Sequence, residues 1–95
     1  MRERDFQAMI EQAAGYLSWR CYHTWDSRRS NPGWPDLVCI KDGRMLALEL
    51  KTEKGKVRPQ QAEWIKELGK VPGVVARIVR PADIDEVLEL LQEGT

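Results

Sequence analysis

The chain has 95 residues, 42% of them hydrophobic and 32% charged, with 15 basic and 15 acidic side chains and a net charge of zero. That size fits one small domain, 1–95, with a modest core. No apolar run approaches the ~20 residues of a membrane span, and no signal-peptide-like segment follows Met1-Arg2-Glu3-Arg4-Asp5, so a cytoplasmic protein is expected.

The charge balance is unevenly spread. The last fifteen residues hold five acids (Asp83, Asp85, Glu86, Glu89, Glu93) and no Lys or Arg, which leaves 15 − 10 = +5 on the first eighty. Such a body is compatible with phosphate contacts. Cys21 and Cys39 match no zinc spacing. Cys39 lies in an apolar run, and an intracellular setting predicts a buried thiol rather than a disulfide.

From Asp5 to about Leu17, apolar Phe6, Met9, Ile10, Ala13, Ala14 and Leu17 recur at helical spacing, with Glu3, Gln7 and Glu11 as a polar stripe on one flank. Trp19 to Trp25 alternates and predicts a short strand, with Trp19, Cys21, His23 and Trp25 on one side. Asp26 to Trp34 is a polar loop rich in breakers. Leu37-Val38-Cys39-Ile40 is a β-rich run, Asp42-Gly43 is a tight hairpin turn, and Met45 to Lys51 is the returning strand. Thr52 to Arg58 is a second basic loop. Pro59 opens a helix at its first turn, with Ala62, Ile65 and Leu68 on its apolar side and Trp64 flanking. Val74 to Val79 is a further strand, Pro81 ends it, and Asp83 to Gln92 is a last helix. The order α-β-β-β-α-β-α predicts an α/β fold, a central mixed sheet with helices packed against it.

The most informative residues are Pro35-Asp36 and, thirteen positions after Asp36, Glu49-Leu50-Lys51. Residues two apart on a strand share a face, so Glu49 and Lys51 point together while Leu50 turns into the core. An antiparallel hairpin places Asp36 close to Glu49 at the same end. Two convergent carboxylates suit a hard divalent cation. A lysine beside them suits positioning of the attacking water or stabilisation of phosphate charge. Either motif alone is common on solvated strands and turns; their combination at hairpin ends, flanked by basic loops, points to a site.

The residues His23, Ser27-Arg28-Arg29-Ser30, Gly33-Trp34-Pro35-Asp36-Leu37, Glu49-Leu50-Lys51, Gly55 and Pro59-x-Gln61-x-x-Trp64 together resemble the VRR-NUC family of the PD-(D/E)XK nuclease superfamily. The stretch from Val75 to Pro81 is similar to the family's late strand. The resemblance implies a restriction-endonuclease-like core and a phosphodiesterase using Mg2+ or Mn2+, with DNA as substrate. It further implies metal binding by Asp36, Glu49 and the Leu50 carbonyl, a catalytic Lys51, and a supporting amide at Gln61. The family's first-helix acid falls on Glu3, with Gln7 and Glu11 on the same stripe and the choice left to geometry; Glu11 reads as a solvated flank. Small stand-alone members resemble phage-encoded homodimeric endonucleases that cut branched DNA such as Holliday junctions, which implies a bacterial host's cytoplasm.

Arg28, Arg29, Lys54, Lys56 and Arg58 are candidate phosphate contacts, with ordinary exposed charge as the alternative. His23 reads as a packed or hydrogen-bonded strand residue. The four tryptophans read mostly as core or interface, with Trp34 supporting the hairpin. The rival functions are a DNA-binding module without cleavage, a nuclease for flaps, ends or single strands, and a small toxin-like or interaction domain.

Overall fold

The computed structural model describes residues 1–25, 29 and 31–93. Helix α1 (Glu3–Tyr16) is followed by strands β1 (Arg20–His23), β2 (Leu37–Lys41) and β3 (Arg44–Leu50). Helix α2 (Pro59–Leu68), strand β4 (Val74–Val79) and helix α3 (Ile84–Glu93) complete the predicted order. The strands lie β1-β2-β3-β4 in one sheet, antiparallel at the first two pairings and parallel at the last, so the sheet is mixed and α2 is the crossover.

The pleat assigns each face its partner. Leu37 and Cys39 of β2, Leu46, Leu48 and Leu50 of β3 and Val79 of β4 join Phe6, Ile10 and Ala14 of α1 and Val87 and Leu91 of α3 in one buried core. The alternate residues, Ala47 and Glu49, face the side on which α2 packs against β3 and β4. Leu50 therefore turns into the core and Glu49 away from it, as the two-residue period requires.

Local signals explain the junctions. Ser18 takes a left-handed conformation (φ 70) after α1, and Trp19 N–H returns to the Ala14 carbonyl, which satisfies an end carbonyl of the helix. Lys41 Nζ donates to the Leu17 carbonyl at 2.7 Å. Trp19 then enters the core and its indole N–H donates to the Leu91 carbonyl at 2.9 Å, tying α1's end to α3. Asp42 (φ 48) and Gly43 (φ 78) form the predicted two-residue turn, both in the region that a type I′ hairpin demands.

The structure departs from the sequence expectations in several places. Cys21 and Cys39 form a disulfide rather than leaving a buried thiol; they face each other directly in the β1–β2 register, Cα atoms 4.1 Å apart. Helix α2 buries none of its residues: Ile65 and Leu68 are half-buried and Ala62 is exposed. Pro81 does not simply end β4 but opens a single 3-10 turn (Pro81–Asp83) before α3. The Thr52–Arg58 segment is the loop expected, and it is anchored: Glu53 Oε1 accepts from Ala82 N–H at 2.8 Å and the Arg80 guanidinium donates to the Thr52 carbonyl.

The loop before β2 is clamped to α2. Trp64 Nε1 donates to the Pro32 carbonyl at 3.0 Å, and Trp34 meets Trp64 edge to face, centroids 5.1 Å apart. Gly33 closes this contact: its φ is +89, and a Cβ there would lie 2.5 Å from the Gln60 backbone. Strain of that kind costs about 1–3 kcal/mol before the steric clash is added. Gly33→Ala should therefore lower the midpoint of thermal unfolding by at least about 5 °C; an unchanged midpoint would show that the loop does not need this approach.

Candidate active site

At one end of the hairpin the sheet opens into a cleft of about 550 Å³, lined by Glu3, Thr24, Trp25, residues 31–34, Asp36, Glu49, Lys51, Arg58, Gln60 and Gln61. Leu37 pairs with Leu48, so Asp36 comes level with Glu49 across the β2–β3 hairpin. The Leu50 N–H donates to Asp36 Oδ2 at 2.9 Å and fixes that carboxylate against the returning strand. The backbone of Asp36 is held from the other side, its carbonyl accepting from Thr24 N–H at 2.9 Å.

Glu49 is the one buried charged residue in the described core, 2% exposed. Gln61 Nε2 donates to its Oε2 at 2.9 Å. The orientation of that amide is set by α2 itself, because Gln61 Oε1 accepts from the Arg58 N–H at the helix N-terminus, 2.9 Å. Helix capping and support of the acid are thus one arrangement. Lys51 Nζ lies 3.7 Å from Glu49 Oε2, with 13% of its side chain exposed. Glu49 Oε1 is buried without a hydrogen-bond donor among the described residues. A buried oxygen in that condition is costly.

Burial, then the charge of the neighbouring Asp36, push Glu49 up to about 8, against the opposing effect of Lys51. A proton shared between the acids relieves their repulsion; a cation between them does the same. Glu3 is also raised, by partial burial and then by Asp36, with Lys51 opposing. Among the described residues, no three histidine, cysteine or acidic side chains already converge as a complete metal cluster. Asp36 and Glu49 form a pair, with Glu3 on the rim.

The structure brings Asp36, Glu49, Lys51, Gln61, Glu3 and Arg58 to one cleft. Glu3 is the member of the first-helix stripe that lines it. Glu11 is not a solvated flank: it accepts from Gln7 Nε2 at 3.1 Å and lies 3.2 Å from His23 Nδ1, and His23, packed on the Trp25 ring, is the packed strand residue expected. Lys54 and Lys56 are exposed on their loop, and Arg29 is exposed as well; none of the three is among the cleft-lining residues. Arg28 lies outside the described residues. Sequence reading missed Trp25, which is 81% exposed on the cleft rather than buried. A tryptophan just beyond a strand end, beside a polar loop, was the available signal.

The sequence profile of the VRR-NUC domain matches residues 5–80. The chain belongs to that family and is a nuclease-type domain. A solved structure described as a "VRR_NUC domain protein" is similar to it with a TM-score of 0.72 and 20% identity, over 99% of this chain and 88% of that one. At that identity the likeness speaks for the fold. No relative among the curated proteins matches the chain.

The raised Glu49 has a measurable consequence. Its folded value of about 8 exceeds the ordinary 4.5, so the folded, metal-free protein holds this proton more tightly than the unfolded chain. The linked stability is fully present below about pH 4.5 and is lost as pH rises through about 8. Thermal melts in chelator should show a midpoint that falls across this interval, and Glu49→Gln should flatten that fall. A variant with the parent's slope would assign the effect elsewhere.

Proposed function

We propose that this chain is a metal-dependent DNA endonuclease of the PD-(D/E)XK type that hydrolyses phosphodiester bonds, with branched DNA as its preferred form. The observation that carries this reading is the buried Glu49 carboxylate, with one unpartnered oxygen, placed beside Asp36 and within 3.7 Å of Lys51 Nζ. A binding surface has no need of two mutually repelling acids in a cleft; a cation site has.

The donor set fits a hard divalent ion, since Asp36, Glu49, the Leu50 carbonyl and Glu3 would all hold it through oxygen. When bound, magnesium or manganese supplies charge neutralisation at the phosphoryl oxygens and a lowered pKa for water. The chain's own groups do the rest. The Leu50 N–H holds Asp36 in one rotamer, and Gln61 holds Glu49, so neither carboxylate must reorganise when substrate arrives. Lys51 carries the positive charge that steadies the phosphoryl group as water adds and the phosphoester bond breaks, or orients that water. Arg58, on the cleft wall, grips a neighbouring phosphate. Arg29, Lys54 and Lys56, exposed outside the cleft, extend the cationic approach.

The preference for branched DNA goes with a homodimer. A chain of 11.0 kDa covers little of a branched substrate, whereas a twofold pair presents two sites to a symmetric junction. The sheet face away from α1 and α3 leaves Tyr22 60% and Ile40 50% exposed, with half-buried Val38 paired to Tyr22 and half-buried Met45 paired to Ile40. That patch supports pairing. Sedimentation at micromolar concentration should give a species of about twice 11.0 kDa; a species of 11.0 kDa alone would remove the dimer.

The test of the activity is cleavage of labelled junction, flap, duplex and single-stranded DNA with magnesium, manganese or chelator. Parent protein should cut in either metal and not in chelator. Asp36→Ala, Glu49→Ala and Lys51→Ala should each fold and bind DNA yet cut at least about 100-fold more slowly. Binding without cleavage by the parent would leave a DNA-binding module. A Lys51→Ala protein that cuts like the parent would refute the role given to the lysine.

A further inference from the structure

We propose that Trp25 is a stacking platform for a nucleobase separated from its neighbours beside the scissile phosphate, so that the cleft takes nucleic acid carrying an unpaired nucleotide at the cleavage point. This deepens the nuclease reading above and rests on it. Trp25 lines the same cleft as Asp36, Glu49 and Lys51, yet its side chain is 81% exposed. Its location is tightly set. The preceding residue, Thr24, donates its N–H to the Asp36 carbonyl and its hydroxyl to the Pro35 carbonyl, each at 2.9 Å. The indole therefore emerges one peptide away from a clamp on the very segment that presents Asp36.

The other three tryptophans have structural duties. Trp19 bonds the Leu91 carbonyl from the core, Trp64 bonds the Pro32 carbonyl, and Trp34 packs edge-on against Trp64. Trp25 instead meets the His23 ring, centroids 4.5 Å apart at 53°. His23 is in turn held by Glu11, and Glu11 by Gln7. This chain from α1 braces the indole from one side, and the tilted contact leaves most of its surface open to solvent. Neither the acid pair nor the lysine needs such a brace. Leaving a large aromatic in water is unfavourable, and at a phosphodiester cleft the flat partner that covers it is a base. Arg58 on the wall of the same cleft adds a cation for the backbone, and an aromatic face beside a cationic groove is how unpaired nucleotides are held.

The experiment is a two-by-two comparison of binding, by fluorescence anisotropy in calcium. Parent protein and Trp25→Ala are each titrated against labelled single-stranded oligothymidylate and an abasic strand of the same length. The parent should bind the base-bearing strand roughly 5- to 150-fold more tightly than the abasic one. Trp25→Ala should bind both at the abasic level, with an unchanged unfolding midpoint, and Trp25→Phe should recover most of the discrimination. A parent indifferent to the bases, a Trp25→Ala protein that still discriminates, or no binding of either strand overturns the platform. Cleavage in magnesium reports separately on the nuclease reading. A parent that discriminates bases but never cuts would overturn that reading and leave the platform standing. A parent that cuts while Trp25→Ala keeps its discrimination would do the reverse.

Discussion

Everything around the cleft follows from keeping one carboxylate, Glu49, out of water and next to another. The β3 strand is buried along its last five residues, and Glu49 is the polar exception among them. The fold meets that demand with three separate devices. The hairpin register brings Asp36 level with it, α2 delivers the Gln61 amide, and the chain just past β3 delivers the Lys51 ammonium. Together they satisfy one oxygen and leave the other without a donor. The raised Glu49 is the electrostatic expression of this incomplete compensation.

The same constraint explains why a helix that buries none of its residues is in place at all. The hydrophobic contribution of α2 is small, with Ile65 and Leu68 only half-covered. Its position is fixed instead along one side, by the Gly33 approach to Gln60, the Trp64 bond to Pro32 and the Trp34–Trp64 contact. These contacts join α2 to the loop that leads into Asp36. One helix thus holds the segments bearing both acids, Gln61 on Glu49 directly and Trp64 on the strand entry to Asp36.

Much of this was legible in the sequence because it depends on local signals. Asp42-Gly43 specified the hairpin, the hairpin set Asp36 against Glu49, and the two-residue period sent Glu49 and Leu50 to opposite faces. Pro59 marked the start of α2, two residues before Gln61, which caps it. The parts that were not legible depend on register across longer connections. The Cys21–Cys39 disulfide needs the β1–β2 alignment, which the intervening polar loop does not reveal. The pairing of Glu11 with His23 needs the crossing of α1 over β1. Trp25 followed the strand's alternation on paper, but the chain bends after His23 and Thr24 is captured by Pro35 and Asp36, which turns the indole out to the cleft.

Membership of the VRR-NUC family and a nuclease-type domain are established by the match over residues 5–80, and no helix among the described residues is long and apolar enough to cross a membrane. The central claim about the chemistry is narrower: the space between Asp36 and Glu49, beside Lys51, belongs to a cation. The most direct test is a crystal of the parent protein soaked in manganese, with anomalous difference density measured at the metal edge. The expected result is a peak in the cleft beside Asp36 and Glu49, absent from crystals of Glu49→Gln. Density elsewhere on the molecule, with none between these two acids, would contradict it.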